Sequence, residues 1–211
     1  MLVTRSSLAV AALDRDLVIF DFRADRYFGL PGALASDVRH SEGITGSLSP
    51  EAWAVLLEAG FLIDADHAPP ILAGTVDAVL GRPKAPPHLR ITDWLAFVIA
   101  AVRTHCRLRR GRAARTYRTG RLSGAARLPD LAVELSRIDV MMLWLPVSFR
   151  CLPKSLRAAL YLRSKGHEVD LVFGVRSYPF EAHCWLEQGG ILLNDDPEHV
   201  RSYTPIVIGQ P

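Results

Sequence analysis

Cys151, His183 and Asp195 supply a thiol, an imidazole and a carboxylate, the three side-chain types that acyl transfer through a covalent intermediate requires. A thiol attacks as thiolate, so its surroundings decide whether it is a nucleophile or a small hydrophobe. Cys151 opens a stretch running to Leu162 that reads as a helix. Pro153 suits its first turn, where the missing N–H would have no partner anyway, and Gly166 stops it. The thiol then sits at the positive end of a helix dipole, beside Arg150 and Lys154, and both effects favour the thiolate.

The imidazole and the carboxylate fall on two runs of strand character, Phe180 to Glu187 and Ile191 to Asp195. Between them lies Gln188-Gly189-Gly190, a hairpin signal. A three-residue loop pairs Glu187 with Ile191, and that register sets His183 opposite Asp195 with both side chains on one face. A register shifted by one residue would set Asp196 there instead. Cys184 alternates to the other face of the strand and is expected in the core.

A thiol at a helix start, followed by His and Asp on consecutive strands, resembles the transglutaminase-like branch of papain-type enzymes. The wording is more specific. Cys-Leu-Pro-Lys-Ser-Leu from Cys151, Gly174-Val175-Arg176, and the run from Pro179 to Glu187 resemble the leader peptidase of lasso peptide biosynthesis, the B protein, over about Trp144 to Asp195. The resemblance implies Cys151 as nucleophile, His183 as base and Asp195 as orienter. It also implies an activity: cutting a lasso precursor at its leader–core junction, so that an asparagine-synthetase-like cyclase can close a macrolactam on the freed amine.

The first third of the chain reads as a separate unit. Strands are expected at Leu8 to Leu13, Leu17 to Phe22 and Tyr27 to Leu30. Helices are expected at Pro31 to Val38 and from Ser49 through Glu58, the second with Ser49 as cap and Pro50 at its first position. Three strands followed by helices indicate a small winged-helix unit. The words from Asp21 to Leu30 resemble the leader-recognition domain of peptide-modifying pathways (the RiPP recognition element). Such domains bind a leader as an added strand, with backbone hydrogen bonds giving affinity and side-chain pockets giving selection. The resemblance implies that Phe28, Leu30, Trp53 and Leu57 line the groove; the glycine-broken stretch from Ser41 to Ser47 departs from the usual pattern.

The expected fold class is therefore α+β: a winged-helix-like leader-recognition domain over residues 1–80, a proline-rich linker over 81–90, and a transglutaminase-like, papain-like cysteine peptidase domain over 91–211. Within the last, helices are expected from Thr92 to about Arg109 and from Leu131 to Leu145.

Composition limits the alternatives. Nearly half of the 211 residues are hydrophobic, enough for a core without staples. Three scattered cysteines suit a reducing cytoplasm and make no disulfide framework. The longest apolar run, Trp94 to Val102, is too short for a membrane span. No phosphate loop or dinucleotide fingerprint is present, so no nucleotide cofactor is assigned, although the lasso pathway as a whole uses ATP. The remaining histidines, His40, His67, His88, His105, His167 and His199, show no metal-ligand spacing, and no metal is assigned. The arginines from Arg107 to Arg121 crowd one segment of a chain whose net charge is only +3. They read as a solvated surface or as one that attracts an acidic leader, without nucleic acid as partner. Two other functions remain open: a transglutaminase-like acyltransferase that passes the acyl group to an amine, and a winged-helix nucleic-acid binder whose Cys, His and Asp are structural.

Overall fold

Short β-branched runs near the two ends of the chain and longer apolar-striped segments between them divide the architecture into sheets and a helical layer. The computed structural model describes residues 8–13, 16–21, 26–30, 76, 78–85, 87–109, 118–119, 128–144 and 150–210. Two compact units are present: residues 1–74 with 174–182 and 204–207 form the first, and residues 75–173, 183–203 and 208–211 the second.

In the first unit, β1 (Leu8–Ala12), β2 (Leu17–Asp21) and β3 (Arg26–Leu30) form an antiparallel sheet in the order β1-β2-β3. Val18, Ile19 and Phe20 are all buried, as a strand covered on both faces should be. Phe28 stands opposite Ile19 and Leu30 opposite Leu17. On the other face, Tyr27 stacks on Phe20 with ring centroids 4.3 Å apart and meets the Phe180 ring at 5.6 Å. These strands fall where the sequence places them. The helices expected at 31–38 and 49–58, with Trp53 and Leu57, lie outside the described residues.

The second sheet has the order β4-β8-β7-β6-β9-β5. Its strands are β4 (Ala78–Val79), β5 (Arg118–Thr119), β6 (Asp170–Arg176), β7 (Glu181–Gln188), β8 (Ile191–Leu192) and β9 (Thr204–Gln210). The helices are α1 (Ile91–Arg109), α2 (Leu128–Trp144), α3 (Cys151–Ser164) and the short α4 (Pro197–Val200). Every residue of α3 from Ser155 to Leu162 is buried. Such a helix must be covered on all sides. α1 and α2 pack on it, and its Ser155 hydroxyl donates to the Cys184 carbonyl of β7 at 3.2 Å. Even Arg157 is 3% exposed, its guanidinium lying over the Phe97 ring at 5.6 Å.

The proline-rich stretch is fastened at its start. β4 pairs in parallel with β8, and Arg82 donates to Asp139 of α2 and to the Leu193 carbonyl, both at 2.8 Å. The arginine-rich segment beyond Arg109 is described only at Arg118–Thr119, which pair with β9.

α1 begins on a buried charge. Asp93 accepts the Arg90 N–H at 2.9 Å, half of a capping box, and also holds Lys165 and, at 3.8 Å, Arg137. Burial raises its pKa, but the bonds from Lys165 and Arg90 and the nearby cations outweigh that and leave it lowered. Its contribution is therefore in place above the ordinary carboxylate pKa and is lost as pH falls through the lowered one. Asp93→Ala takes from Lys165 its carboxylate partner, while Arg137 keeps its 2.6 Å pair with Glu134, and we expect a loss of about 3 kcal/mol in urea unfolding at neutral pH; a change within about 0.5 kcal/mol, the range of an ordinary surface substitution, would show that the pair carries nothing.

Candidate active site

Cys151 is the first residue of α3, and Arg150 precedes it without any side-chain cap. The first N–H groups of the helix thus face outward beside the sulfur, and Pro153 removes one that would otherwise need a partner. Lys154 donates from Nζ to the Asn194 carbonyl at 3.4 Å, and its charge lowers the pKa of Asp195.

β7 delivers His183, and the chain beyond β8 delivers Asp195. The ring Nε2 lies 2.7 Å from Asp195 Oδ2. That leaves Nδ1 for the Cys151 sulfur, with which His183 is hydrogen-bonded. Side-chain exposures of 15% for His183 and 19% for Asp195, with Cys151 half-buried, keep the group reachable from solvent but poorly hydrated. Trp185 and Tyr203 pack their rings at 6.0 and 5.2 Å from the imidazole, and His199 meets it edge-on at 4.7 Å. A polar cleft of about 460 Å³ opens beside Asp195, lined among others by Arg82, Lys154, Asn194 and Asp196.

His183 and Asp195 come together by a route different from the expected register. Gly189 (φ +56°) and Gly190 (φ +83°) make a two-residue turn, and Gln188 pairs with Ile191. Two successive positive φ values are what a type I′ turn demands, and two glycines supply them without strain. This register, continued, would set Asp196 opposite His183. The ladder ends first. Leu193 N–H still donates to the Leu186 carbonyl at 2.9 Å, but Leu186 N–H is met at 2.8 Å by the side chain of Asn194 instead of a strand carbonyl. Asn194 Nδ2 also donates to Ser155 Oγ at 2.9 Å, tying the bend to α3. The bend returns Asp195 to the imidazole, while Asp196 caps α4 by accepting from Glu198 N–H at 2.8 Å and His199 N–H at 3.4 Å.

Cys184 is buried, as expected, but it is more than core filling. Its thiol is hydrogen-bonded to the Cys151 sulfur, an interaction strand alternation gave no reason to expect. That bond and the one from His183 hold Cys151 at about 4, although burial pushes the other way. Facing the thiolate, and buried, the Cys184 thiol is raised well above its usual value. Burial lowers His183, but its bonds to Asp195 and Cys151 win and raise it to about 9. Asp195 is raised by burial and lowered more by His183 and the Asp196 N–H, a net decrease. Thiolate and imidazolium therefore coexist between those two values, which suits nucleophilic attack followed by proton donation.

Among the described residues, His183, Asp195 and His199 place one ligand atom each within 4.8 Å of one another, a cluster that sequence spacing did not reveal. Of the residues expected to line a leader groove, Phe28 is half-buried on β3; the side chain of Leu30, and Trp53 and Leu57 entire, lie outside the described residues. Trp185, Tyr203, Asn194 and Ser155 were not singled out in the sequence. Only Trp185 carried a signal there, its position two residues along the strand from His183.

These features have a family. The model of the transglutaminase-like superfamily matches residues 94–208, more than half of the chain, and the chain belongs to that superfamily. A stretch of 64 residues is 34% identical to the microcin J25-processing protein McjB of Escherichia coli, over 30% of this chain and 31% of that protein. The chain thus matches under a third of that relative's length. No solved structure matches the chain. Among the described residues no helix is long and apolar enough to cross a membrane.

Alkylation of Cys151 by iodoacetamide should hold its rate down to pH about 4. Cys184→Ala should move that midpoint upward and Cys184→Ser, which keeps a donor, should restore most of it. A midpoint near the ordinary thiol value of about 8.5 in the unmodified protein would show that no ion pair exists.

Proposed function

We propose that the protein is a cysteine peptidase that binds the leader of a lasso peptide precursor and cuts it at the leader–core junction, with Cys151, His183 and Asp195 as its triad. The observation that carries the reading is the chain of contacts from the sulfur at the open start of α3 through the imidazole to a carboxylate 2.7 Å away. The likeness to a microcin-processing protein supports the choice of substrate.

The Cys151 thiolate attacks the scissile carbonyl. The resulting oxyanion is met by the backbone N–H groups at the start of α3, which have no intrahelical partner. His183 passes the proton on Nδ1 to the departing amine, and the C–N bond breaks to leave a thioester on Cys151. The neutral imidazole then takes a proton from water, whose oxygen attacks the thioester and releases the leader carboxylate. Asp195 stays ionised throughout and holds the ring so that Nδ1 faces the sulfur. The freed core amine is what an asparagine-synthetase-like cyclase needs to form its lactam.

Leader recognition is assigned to the first unit, read as a winged-helix-like domain. Among its described residues β3 ends the order β1-β2-β3, and a leader strand would add there over Phe28, Leu30, Trp53 and Leu57. Binding the leader away from the cut raises the local concentration of the scissile bond.

The superfamily's name keeps a second reading open, transfer of the acyl group to an amine instead of water. Incubating a precursor with the protein and an added amine separates the two by product mass.

Cys151→Ala should reduce cleavage of a precursor to background in a mass-spectrometric assay while leader affinity stays within twofold. Asp195→Ala should lower kcat by about 10⁴-fold with little change in KM, because the ring loses its orienting acceptor. Cleavage by Cys151→Ala at the wild-type rate refutes the assignment.

A further inference from the structure

We propose that His183, Asp195 and His199 form a binding site for a divalent transition metal of the zinc class, and that filling it switches the enzyme off. The site rests on geometry alone; its effect on cleavage rests on the peptidase reading above.

Two imidazoles and one carboxylate are a ligand set for zinc, cobalt, nickel or copper, and a poor one for magnesium or calcium. Their ligand atoms lie within 4.8 Å of one another, and His183 Nε2 and Asp195 Oδ2 are already 2.7 Å apart. Zinc bonds of about 2.0–2.2 Å to nitrogen and oxygen set tetrahedral ligands roughly 3.3 Å from each other. No pair must therefore close by more than about 1.5 Å on that scale. The adjustment falls on His199, an exposed residue of α4 whose backbone is pinned by the Asp196 cap but whose ring meets His183 only edge-on. Beyond a rotation of that side chain, the His183–Asp195 pair, 2.7 Å apart, must open by about 0.6 Å to seat the ion. Water would complete the fourth position, since Cys151 lies on the opposite, Nδ1, side of the ring.

The consequence for chemistry is direct. The metal displaces the Nε2 proton to solvent and takes the lone pair that remains. Asp195 then bonds the metal instead of the ring. His183 keeps one proton on Nδ1, but giving it to the departing amine would now leave a metal-bound imidazolate in place of a neutral ring, so formation of the thioester, and with it cleavage, is suppressed. Removal of the metal returns the proton and the carboxylate contact, and no covalent bond has changed.

Cobalt tests the site without any substrate. Metal-free full-length protein titrated with Co²⁺ should develop visible d–d absorption that Zn²⁺ competes away. Cys151→Ala should bind with unchanged affinity, and His199→Ala at least tenfold more weakly, on the scale by which even outer-sphere groups alter metal affinity. In the cleavage assay, Zn²⁺ should inhibit the wild type and a chelator should restore it. Measured against its own metal-free rate, His199→Ala should need at least tenfold more Zn²⁺ for inhibition. The proposal falls if no absorption develops, if a thiolate-to-cobalt charge-transfer band appears and vanishes in Cys151→Ala, or if His199→Ala is as sensitive to Zn²⁺ as the wild type. Should the cobalt results hold while metal-free protein never cuts a precursor, the site stands and the peptidase reading alone is lost.

Discussion

The hydrogen-bonded pair of Cys151 thiolate and His183 imidazolium is the contact on which the rest of this site depends. Burial penalises both charges: it raises the thiol and lowers the imidazole. The pair survives because each charge has donors or acceptors placed before it forms. Cys184 and His183 donate to the sulfur, and Asp195 accepts from the ring. Half-burial is the working compromise. Full exposure would let water compete for each bond, and full burial would leave no way in for a substrate.

The placement of those partners is a matter of packing. α3 can carry Cys151 at its tip only if its body is held still, and its eight buried residues from Ser155 to Leu162 do this against α1, α2 and β7. Three short bonds then lock tip to sheet: Ser155 to the Cys184 carbonyl, Asn194 to Ser155, and Leu186 to Asn194. The serine and the asparagine thus join helix, strand and bend in a single hydrogen-bonded chain, and the bend is what carries Asp195.

Sequence reasoning reached the helix that bears Cys151, the strand that bears His183 and the three strands of the first unit, because each announces itself locally. Pro153 and Gly166 mark the helix, and alternation marks the strands. It failed where the outcome depends on geometry over two or three residues. The hairpin at Gly189-Gly190 closes in two residues, not three, and Asp195 reaches His183 without the register that the sequence implies. Cys184 was legible as buried but not as a partner of Cys151, since which thiols meet across helix and strand is set by packing. His199 was dismissed for want of spacing to other ligands; α4, four residues long, folds it back to His183. The winged-helix reading of the first third concerns residues that are mostly undescribed.

Asp195 and Asp196 show most plainly why composition alone could not choose the third member of the triad. They are chemically identical neighbours, and either could orient an imidazole. Backbone hydrogen bonding separates them. Asp196 accepts from two N–H groups at the start of α4, with Pro197 next in line as a first-turn residue, so its carboxylate is occupied by the helix it caps. Asp195 sits one residue earlier, where the chain still bends. Its Oδ1 takes the Asp196 N–H at 2.8 Å, and that fixes the carboxylate plane with Oδ2 turned to His183. The cap of a four-residue helix therefore selects which acid meets the histidine, and the imidazole inherits its orientation from that turn.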